Sequence, residues 1–376
     1  MKKSNINCKV CGSKLPLEAI LTLKNAPPSA QGFVRYNKKK NNINLKISQC
    51  SICGLVQSSN KPVKYYRETI RSVSFSKSMI NFRSVQLKKF IKKYNLTNKK
   101  IVEIGSGSGE YLNILKKYSK NSNGLEYSNK NITISKKKGL GVFKGYVDNK
   151  NYKIQGGPYD AFICMSFAEH SPDINNFLRG ISNNLRSNSY GLIEVPNFDM
   201  IIKKNLYTEF IIDHLNYFTK KTLEQTLNFN GFEVLNCKEL WDGYIISAEI
   251  KKKNLLKKFD LNILVKNLKQ DFKKFKKNLN KKIAVWGAGH QALTVLSLTG
   301  LKNNVKYIID SATFKQNKLS PGDKIKVVSP SIINKENISG VIIMAAGYSD
   351  EVYNILKKMN FKGKIAILRH NRLEFK

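Results

Sequence analysis

Apolar residues follow two spacings along the chain, and their alternation predicts an α/β protein. Short apolar runs such as Lys100–Ile104 and Tyr159–Met165 have the composition of buried strands. Apolar positions at helical spacing predict a helix over Phe82–Tyr94. Because helices and strands alternate from about residue 77 to 250, the pattern favours a mostly parallel, doubly wound sheet. The other elements predicted here are helices over Glu110–Lys117 and Ile174–Leu185, and strands over Ser122–Glu126, Gly191–Val195, Phe232–Leu235 and Gly243–Ile250.

A second α/β pattern begins near residue 281. Its first strand runs into the glycine turn Gly287–His290, and a second strand ends at Asp310. Ala292 stands where a dinucleotide-binding loop would have its third glycine, so this turn only weakly supports a second nucleotide site. The predicted organisation is a small cysteine-bearing domain over 1–60, a cofactor domain over 61–250, an amphipathic linker helix over 251–280 and a second Rossmann-like domain over 281–376.

Length and hydropathy favour a globular protein of several domains over a membrane-spanning or secreted one. The 376 residues suit two or three domains, and an apolar content of 41% is ample for ordinary cores. No apolar run approaches the roughly 20 residues needed to cross a bilayer. The first residues lead to Cys8 without an apolar signal core, so we expect a cytoplasmic protein with no membrane partner.

The formal net charge of +40 raises the question of nucleic-acid binding. The lysines are spread through the whole chain, and no RRM, KH or aromatic-interleaved basic helix accompanies them. We therefore favour solvated lysine surfaces, with a zinc-containing nucleic-acid-binding protein as the alternative. The short runs concerned are Lys38–Lys40, Lys136–Lys138 and Lys251–Lys253.

Two CxxC pairs predict a structural zinc site. Four thiolates in two such pairs suit one tetrahedral Zn²⁺, and Gly12 and Gly54 follow each pair where a tight turn needs a permissive backbone. A zinc ion would also stabilise a unit that has too little core to fold alone. Unrelated free thiols and a redox pair are the alternatives. The predicted ligands are Cys8, Cys11, Cys50 and Cys53.

A glycine loop after the strand at Lys100–Ile104 predicts an S-adenosylmethionine site. Its E-x-G-x-G-x-G spacing is typical of the first motif of class I methyltransferases, in which glycines let the backbone approach the methionine moiety. Glu126 ends the next strand, where its carboxylate can accept both ribose hydroxyls. An NAD-binding Rossmann domain is the alternative. The predicted cofactor residues are Glu103, Gly105, Ser106, Gly107, Gly109 and Glu126.

The order of these features resembles the sugar C-methyltransferase family, which acts on nucleotide-linked 4-keto-deoxysugars. The resemblance covers nearly the whole chain. Four segments carry it: Pro27–Phe33, the second knuckle and its tail over Cys50–Gln57, Glu194–Pro196, and Asp213–Thr219.

The resemblance implies that His214 is a general base that removes a proton beside a ketone, since histidine has a suitable pKa. Asp213 would orient or tune a neighbour, and His170 is a secondary base candidate. Ile211 and Ile212 stand where the family has tyrosine and histidine. These departures keep a second hypothesis open, an O- or N-methyltransferase of a sugar or small metabolite. The resemblance also implies that the C-terminal domain helps to bind the nucleotide-linked sugar.

Overall fold

The computed structural model describes residues 6–31, 41–68, 76–254, 262–277, 279 and 282–376. The predicted segment Pro27–Phe33 and the run Lys38–Lys40 fall partly or wholly outside these residues. The chain divides into two compact units, Met1–Leu255 and Leu256–Lys376. In the described ranges, no helix is long and apolar enough to cross a membrane.

The first unit contains two sheets and the helices that cover them. Its strands are β1 Leu21–Ala26, β2 Ile43–Gln49, β3 Val56–Ser58, β4 Ile101–Ile104, β5 Ser122–Glu126, β6 Val142–Lys144, β7 Tyr159–Met165, β8 Leu185–Pro196, β9 Asn216–Tyr217, β10 Phe232–Leu240 and β11 Ile245–Lys252. Its helices are α1 Lys77–Lys93, α2 Glu110–Tyr118, α3 Asn129–Lys137, α4 Ile174–Asn183, α5 Phe198–Lys203 and α6 Lys220–Phe229.

The larger sheet has seven strands in the order β10-β11-β8-β7-β4-β5-β6. The five strands from β8 to β6 are parallel, whereas β11 pairs antiparallel with β8 and β10 pairs antiparallel with β11. The α/β fold class is thus confirmed, in a mixed sheet. The chain order reverses between β4 and β7, and the crevice outside the carboxyl ends of such strands is where ligands bind in these folds.

The smaller sheet joins the N-terminal module to the middle of the chain. Its order is β1-β2-β3-β9, so the last strand comes from residues far beyond the module. Val56 pairs with Tyr217 and Gln57 with Asn216. One apolar core contains Leu45 and Ile47 from the module together with Phe198 from α5. The segment around β9 is therefore fixed by the cysteine-bearing module.

The second unit is another α/β layer structure, as the sequence pattern predicts. Its sheet has the order β14-β13-β12-β15-β16-β17 and is parallel except for β17. The strands are β12 Ile283–Trp286, β13 Val305–Ile309, β14 Lys326–Val328, β15 Gly340–Ile343, β16 Lys364–Arg369 and β17 Arg372–Phe375. The helices are α7 Asn262–Lys276, α8 His290–Thr299, α9 Ile332–Lys335 and α10 Ser349–Lys358.

Helix α7 occupies much of the stretch that the sequence pattern assigns to a linker. Its apolar residues Leu268, Phe272 and Phe275 lie in the core of the second unit. Asp271 on the same helix accepts hydrogen bonds from Arg372 at 2.7 and 2.9 Å. The apolar stripe therefore covers the second sheet, and the helix is part of that unit.

Candidate active site and metal centre

The four cysteines of the CxxC pairs come together in one cluster. The four Sγ atoms lie within 4.8 Å of one another. The distances from Cys8 to Cys53 and from Cys11 to Cys50 are both 3.5 Å between Sγ atoms. Zn–S bonds of about 2.3 Å in a tetrahedron require sulfur atoms roughly 3.8 Å apart. The cluster therefore has the ligand set and spacing of a tetrahedral Cys₄ metal centre.

Two backbone turns of the same form present these thiols. Cys8 donates its N–H to the Ser13 oxygen, as Cys50 donates to the Leu55 oxygen. Each turn closes on a glycine of left-handed conformation, Gly12 at φ 75° and Gly54 at φ 77°. This matching geometry explains why the two pairs converge on one point, and why a glycine directly follows each pair.

The glycine loop has the conformation that its sequence predicts. Gly105, Gly107 and Gly109 all have positive φ, at 68°, 58° and 84°. A Cβ at Gly105 would lie 2.7 Å from the Phe167 ring, and one at Gly109 would lie 2.4 Å from Leu140. Both the backbone conformation and the close packing therefore exclude larger residues from this loop.

Glu126 closes the loop from the neighbouring strand. One carboxylate oxygen accepts the Gly107 N–H at 2.8 Å, and the other accepts the Ser128 N–H at 2.8 Å. Each oxygen keeps a further lone pair, so the same carboxylate can accept ribose hydroxyls. Beside it lies a narrow cleft lined by Tyr127, Val147 and Phe167.

Two of the predicted cofactor residues turn away from this surface. Ser106 is fully buried, and its hydroxyl packs against Gly124 of β5, where a Cβ would be 2.4 Å away. Glu103 is also fully buried, within β4. Both side chains therefore lie in the protein interior.

A cavity of about 700 Å³ lies at the carboxyl end of the large sheet. Tyr111, in the first turn of α2 after the glycine loop, and Ser166, which follows β7, lie in its wall. The histidines His170 and His214 line the same cavity. The cavity thus borders the helix that follows the predicted cofactor loop, and it contains both predicted base candidates.

The two histidines are neighbours. Their ring centroids are 5.0 Å apart, edge to face. Nδ1 of His170 lies 2.8 Å from the main-chain oxygen of Asp213. Glu169 adds a third ligand-type atom, and all three lie within 4.8 Å of one another.

Asp213 holds the histidine segment against the N-terminal module. Its Oδ1 accepts hydrogen bonds from the Ala30 N–H and the Tyr65 hydroxyl, each at 3.0 Å. Leu215 continues the contact by accepting the Ser58 N–H at 3.1 Å. The Asp213 carboxylate therefore fixes the backbone that carries His214. The main-chain oxygen of Asp213 orients the His170 ring.

Burial sets the proton affinities of these groups. It lowers the pKa of His170, and burial together with the adjacent His170 lowers the pKa of His214 well below its ordinary value of 6.5. Burial, together with the Asp213 carboxylate, raises the pKa of the Tyr65 hydroxyl. Both imidazoles are therefore neutral near pH 7, the form that a proton acceptor needs.

Sequence reasoning missed a buried ion pair in the cavity wall. Arg83 of α1 pairs with Glu194 at the end of β8 and donates to Gln86 Oε1 at 2.7 Å. The two charged residues are 111 positions apart in the chain, and no local spacing connects them. The Glu-Val-Pro motif marks Glu194 in the sequence, but no motif marks its partner Arg83.

Two family models match the chain. A methyltransferase domain family matches residues 79–236, and a C-methyltransferase C-terminal domain family matches residues 247–368. No curated protein matches the sequence.

Solved methyltransferases are distant neighbours of the fold. An S-adenosylmethionine-dependent methyltransferase from Clostridium acetobutylicum is 13% identical and covers 46% of this chain and 92% of its own, with a TM-score of 0.40. A possible histamine N-methyltransferase from Thermotoga maritima is 20% identical and covers 46% and 91%, with a TM-score of 0.37. The plantazolicin methyltransferase BpumL, solved with S-adenosylhomocysteine, is 16% identical and covers 49% and 88%, with a TM-score of 0.39. The two family matches and the loop geometry make the chain a class I S-adenosylmethionine-dependent methyltransferase.

Proposed function

We propose that this class I methyltransferase alkylates a carbon atom beside the ketone of a nucleotide-linked sugar. The observation that carries the proposal is the position of the His214 imidazole in the wall of a cavity that Tyr111 and Ser166 also line. The match of residues 247–368 to a C-methyltransferase C-terminal domain supports carbon as the acceptor atom.

The chain's own residues suit the donor. The backbone of Gly105, Gly107 and Gly109 would hold the methionine moiety, and Glu126, which already accepts the Gly107 N–H, would accept the ribose hydroxyls. When bound, S-adenosylmethionine supplies an electrophilic methyl group on a sulfonium sulfur.

His214 performs the proton transfer. Its neutral ring takes the proton from the carbon next to the ketone, and the C–H electron pair becomes the enolate that accepts the methyl group. His170 holds the second imidazole in place through its Nδ1–H bond to the Asp213 oxygen. Ile211 lines the cavity where the resembling family has tyrosine, so no phenol at that position shares the proton.

The cavity's outer wall supports a polyhydroxylated acceptor. Tyr244 donates its hydroxyl hydrogen to Glu209 at 2.9 Å, and Lys204 and Asp242 line the same cavity. Mixed donors and acceptors of this kind recognise sugar hydroxyls. We assign residues 281–376 the role of acceptor-binding domain, which the family match over this region supports.

We also propose that Cys8, Cys11, Cys50 and Cys53 bind one structural Zn²⁺. The closed Cys₄ set leaves no open coordination position for a substrate. The ion then stabilises the module whose sheet includes β9.

The experiment is to incubate the protein with S-adenosylmethionine carrying a ¹³C-labelled methyl group and a panel of nucleotide-linked keto-sugars. Label on the carbon beside the ketone supports the proposal. Label on oxygen or nitrogen replaces it with the second hypothesis, and turnover only of acceptors that lack a ketone overturns it.

A further inference from the structure

Arg83 is the one arginine among the lining residues of the large cavity, and it is almost fully buried, at 1% exposure. An arginine in such a place needs a compensating charge and partners for its five N–H groups. The Glu194 carboxylate and the Gln86 amide oxygen satisfy Nη1. The Nε atom is buried and has no hydrogen-bond partner within the described ranges.

The position of Arg83 relates it to the donor loop. Its guanidinium carbon lies 5.2 Å from the ring centroid of Tyr111, in the first turn of the helix that follows the glycine loop. Met79, one helical turn before Arg83, lines the same cavity. Helix α1 therefore presents one face to the cavity that Tyr111 also lines.

Strand order gives the direction in which a bound donor extends. Glu126, the ribose acceptor, ends β5, and the glycine loop follows β4. The strands β7 and β8 lie on the other side of β4, and Glu194 lies in β8. A donor whose ribose contacts Glu126 thus directs its amino-acid end across the loop, toward the wall that contains Tyr111 and Arg83.

We propose that Arg83 binds the α-carboxylate of the methyl donor, with its unpartnered Nε–H as a donor toward that group. A guanidinium suits a carboxylate because its N–H groups fit the two oxygens. Glu194 orients the guanidinium before the ligand arrives. Any anionic oxygen group would fit this chemistry, so a phosphate of the acceptor is the competing source.

The test compares two ligands that differ in the amino-acid end. S-adenosylhomocysteine has the carboxylate, whereas 5′-methylthioadenosine keeps the adenine, ribose and sulfur without it. Dissociation constants of both are measured for the wild type and for Arg83→Lys, which keeps a positive charge beside Glu194 but has no Nε–H. Arg186→Lys is the matched control, because Arg186 is half-exposed and pairs with Asp160.

We expect Arg83→Lys to raise the dissociation constant of S-adenosylhomocysteine by roughly 10- to 100-fold and to leave that of methylthioadenosine unchanged. Equal weakening of both ligands would mean a purely structural ion pair and would overturn the assignment. Unchanged affinity for both, with weaker binding of thymidine diphosphate as a phosphate probe, would assign Arg83 to the acceptor instead. The double variant Arg83→Met/Glu194→Gln, which removes both charges, must show the same ligand selectivity if Arg83→Lys fails to fold.

Discussion

Nδ1 of His170 lies 2.8 Å from the main-chain oxygen of Asp213, the residue before His214. A carbonyl oxygen only accepts hydrogen bonds, so Nδ1 carries the hydrogen and Nε2 carries the lone pair. The bond ties the loop after β7 to the segment that precedes β9. His170 therefore fixes the backbone from which the neighbouring imidazole projects.

We expect substitution by asparagine to affect activity differently at His170 and at His214. Asparagine at position 170 can still donate to the Asp213 oxygen, so His170→Asn should retain much more activity than His170→Ala. If His170 were the base, both variants would lose activity equally. The measurement is kcat for each variant with the same keto-sugar.

His214→Asn should lower kcat by at least about 100-fold, because it removes the proposed general base. Affinity for S-adenosylhomocysteine should stay unchanged, since the glycine loop and Glu126 are untouched. His290→Asn, at an exposed position in the second unit, is the matched control. Retained turnover in His214→Asn would contradict the assignment.

The pH dependence of kcat/KM should show the lowered pKa of His214. The base must be neutral to accept a proton, and burial keeps it neutral to a lower pH than a free histidine. Activity should therefore stay level as the pH falls through 6.5, the ordinary value, and decline only below it. An acid limb centred at or above 6.5 would contradict the burial of this group.

Removal of the metal should impair the active site through the small sheet. Cys53→Ser should lose the bound zinc and lower kcat, because Val56 and Ser58 bond to the backbone that follows His214. Hydrogen exchange at Asn216 and Tyr217 should become faster in the same variant. Cys237→Ala, outside the cluster, should retain one zinc per chain and normal exchange. A zinc-free variant with normal exchange at β9 would disprove the coupling.

Gly105→Ala and Gly139→Ala form a matched pair of variants. Both introduce backbone strain, but only Gly105 lies in the predicted cofactor loop. Both glycines have positive φ, 68° and 72°, so backbone strain should cost each alanine variant about 1–2 kcal/mol of stability, with a further loss at Gly105 from steric overlap. Only at Gly105 does the new methyl group meet a ring, that of Phe167 at 2.7 Å. Gly105→Ala should weaken S-adenosylhomocysteine binding at least about 10-fold, whereas Gly139→Ala should leave it unchanged. Calorimetric titration and thermal unfolding measure the two effects.

The parts that local spacing determines could be predicted from the sequence. The CxxC turns, the glycine loop and the acid at the end of β5 each depend on residues a few positions apart. Several strands of both α/β units were predicted for the same reason, whereas the short strands β6, β14 and β17 were not. Helix α1 begins five residues before the predicted start, at Lys77, because the Ser76 hydroxyl caps it by accepting the Met79 N–H at 3.1 Å.

The contacts that build the cavity could not be predicted in the same way. Tyr65 meets Asp213 across 148 positions, and His170 meets the same residue across 43. Such pairs depend on how the sheets are assembled, and the spacing of apolar residues in the sequence does not predict that. The resemblance to a known family identified His214, but not the hydrogen bonds that hold its segment in place.

Helix α7 shows the limit of amphipathic patterns. Its apolar stripe predicts a buried face but does not say which domain covers it. The pattern was therefore compatible with a linker, whereas Phe272 and Phe275 pack in the core of the second unit. The partner of an amphipathic face is a property of tertiary structure.

Solvent-deuterium exchange into the acceptor tests the central claim most directly, because it detects proton removal without methyl transfer. The protein is incubated in D₂O with S-adenosylhomocysteine and a nucleotide-linked 4-keto-sugar. We predict that the wild type introduces deuterium at the carbon beside the ketone, and that His214→Asn does so only at the uncatalysed rate. Equal exchange by the two proteins would contradict the role of His214, and methylation by the wild type of an acceptor that shows no exchange would contradict the enolate.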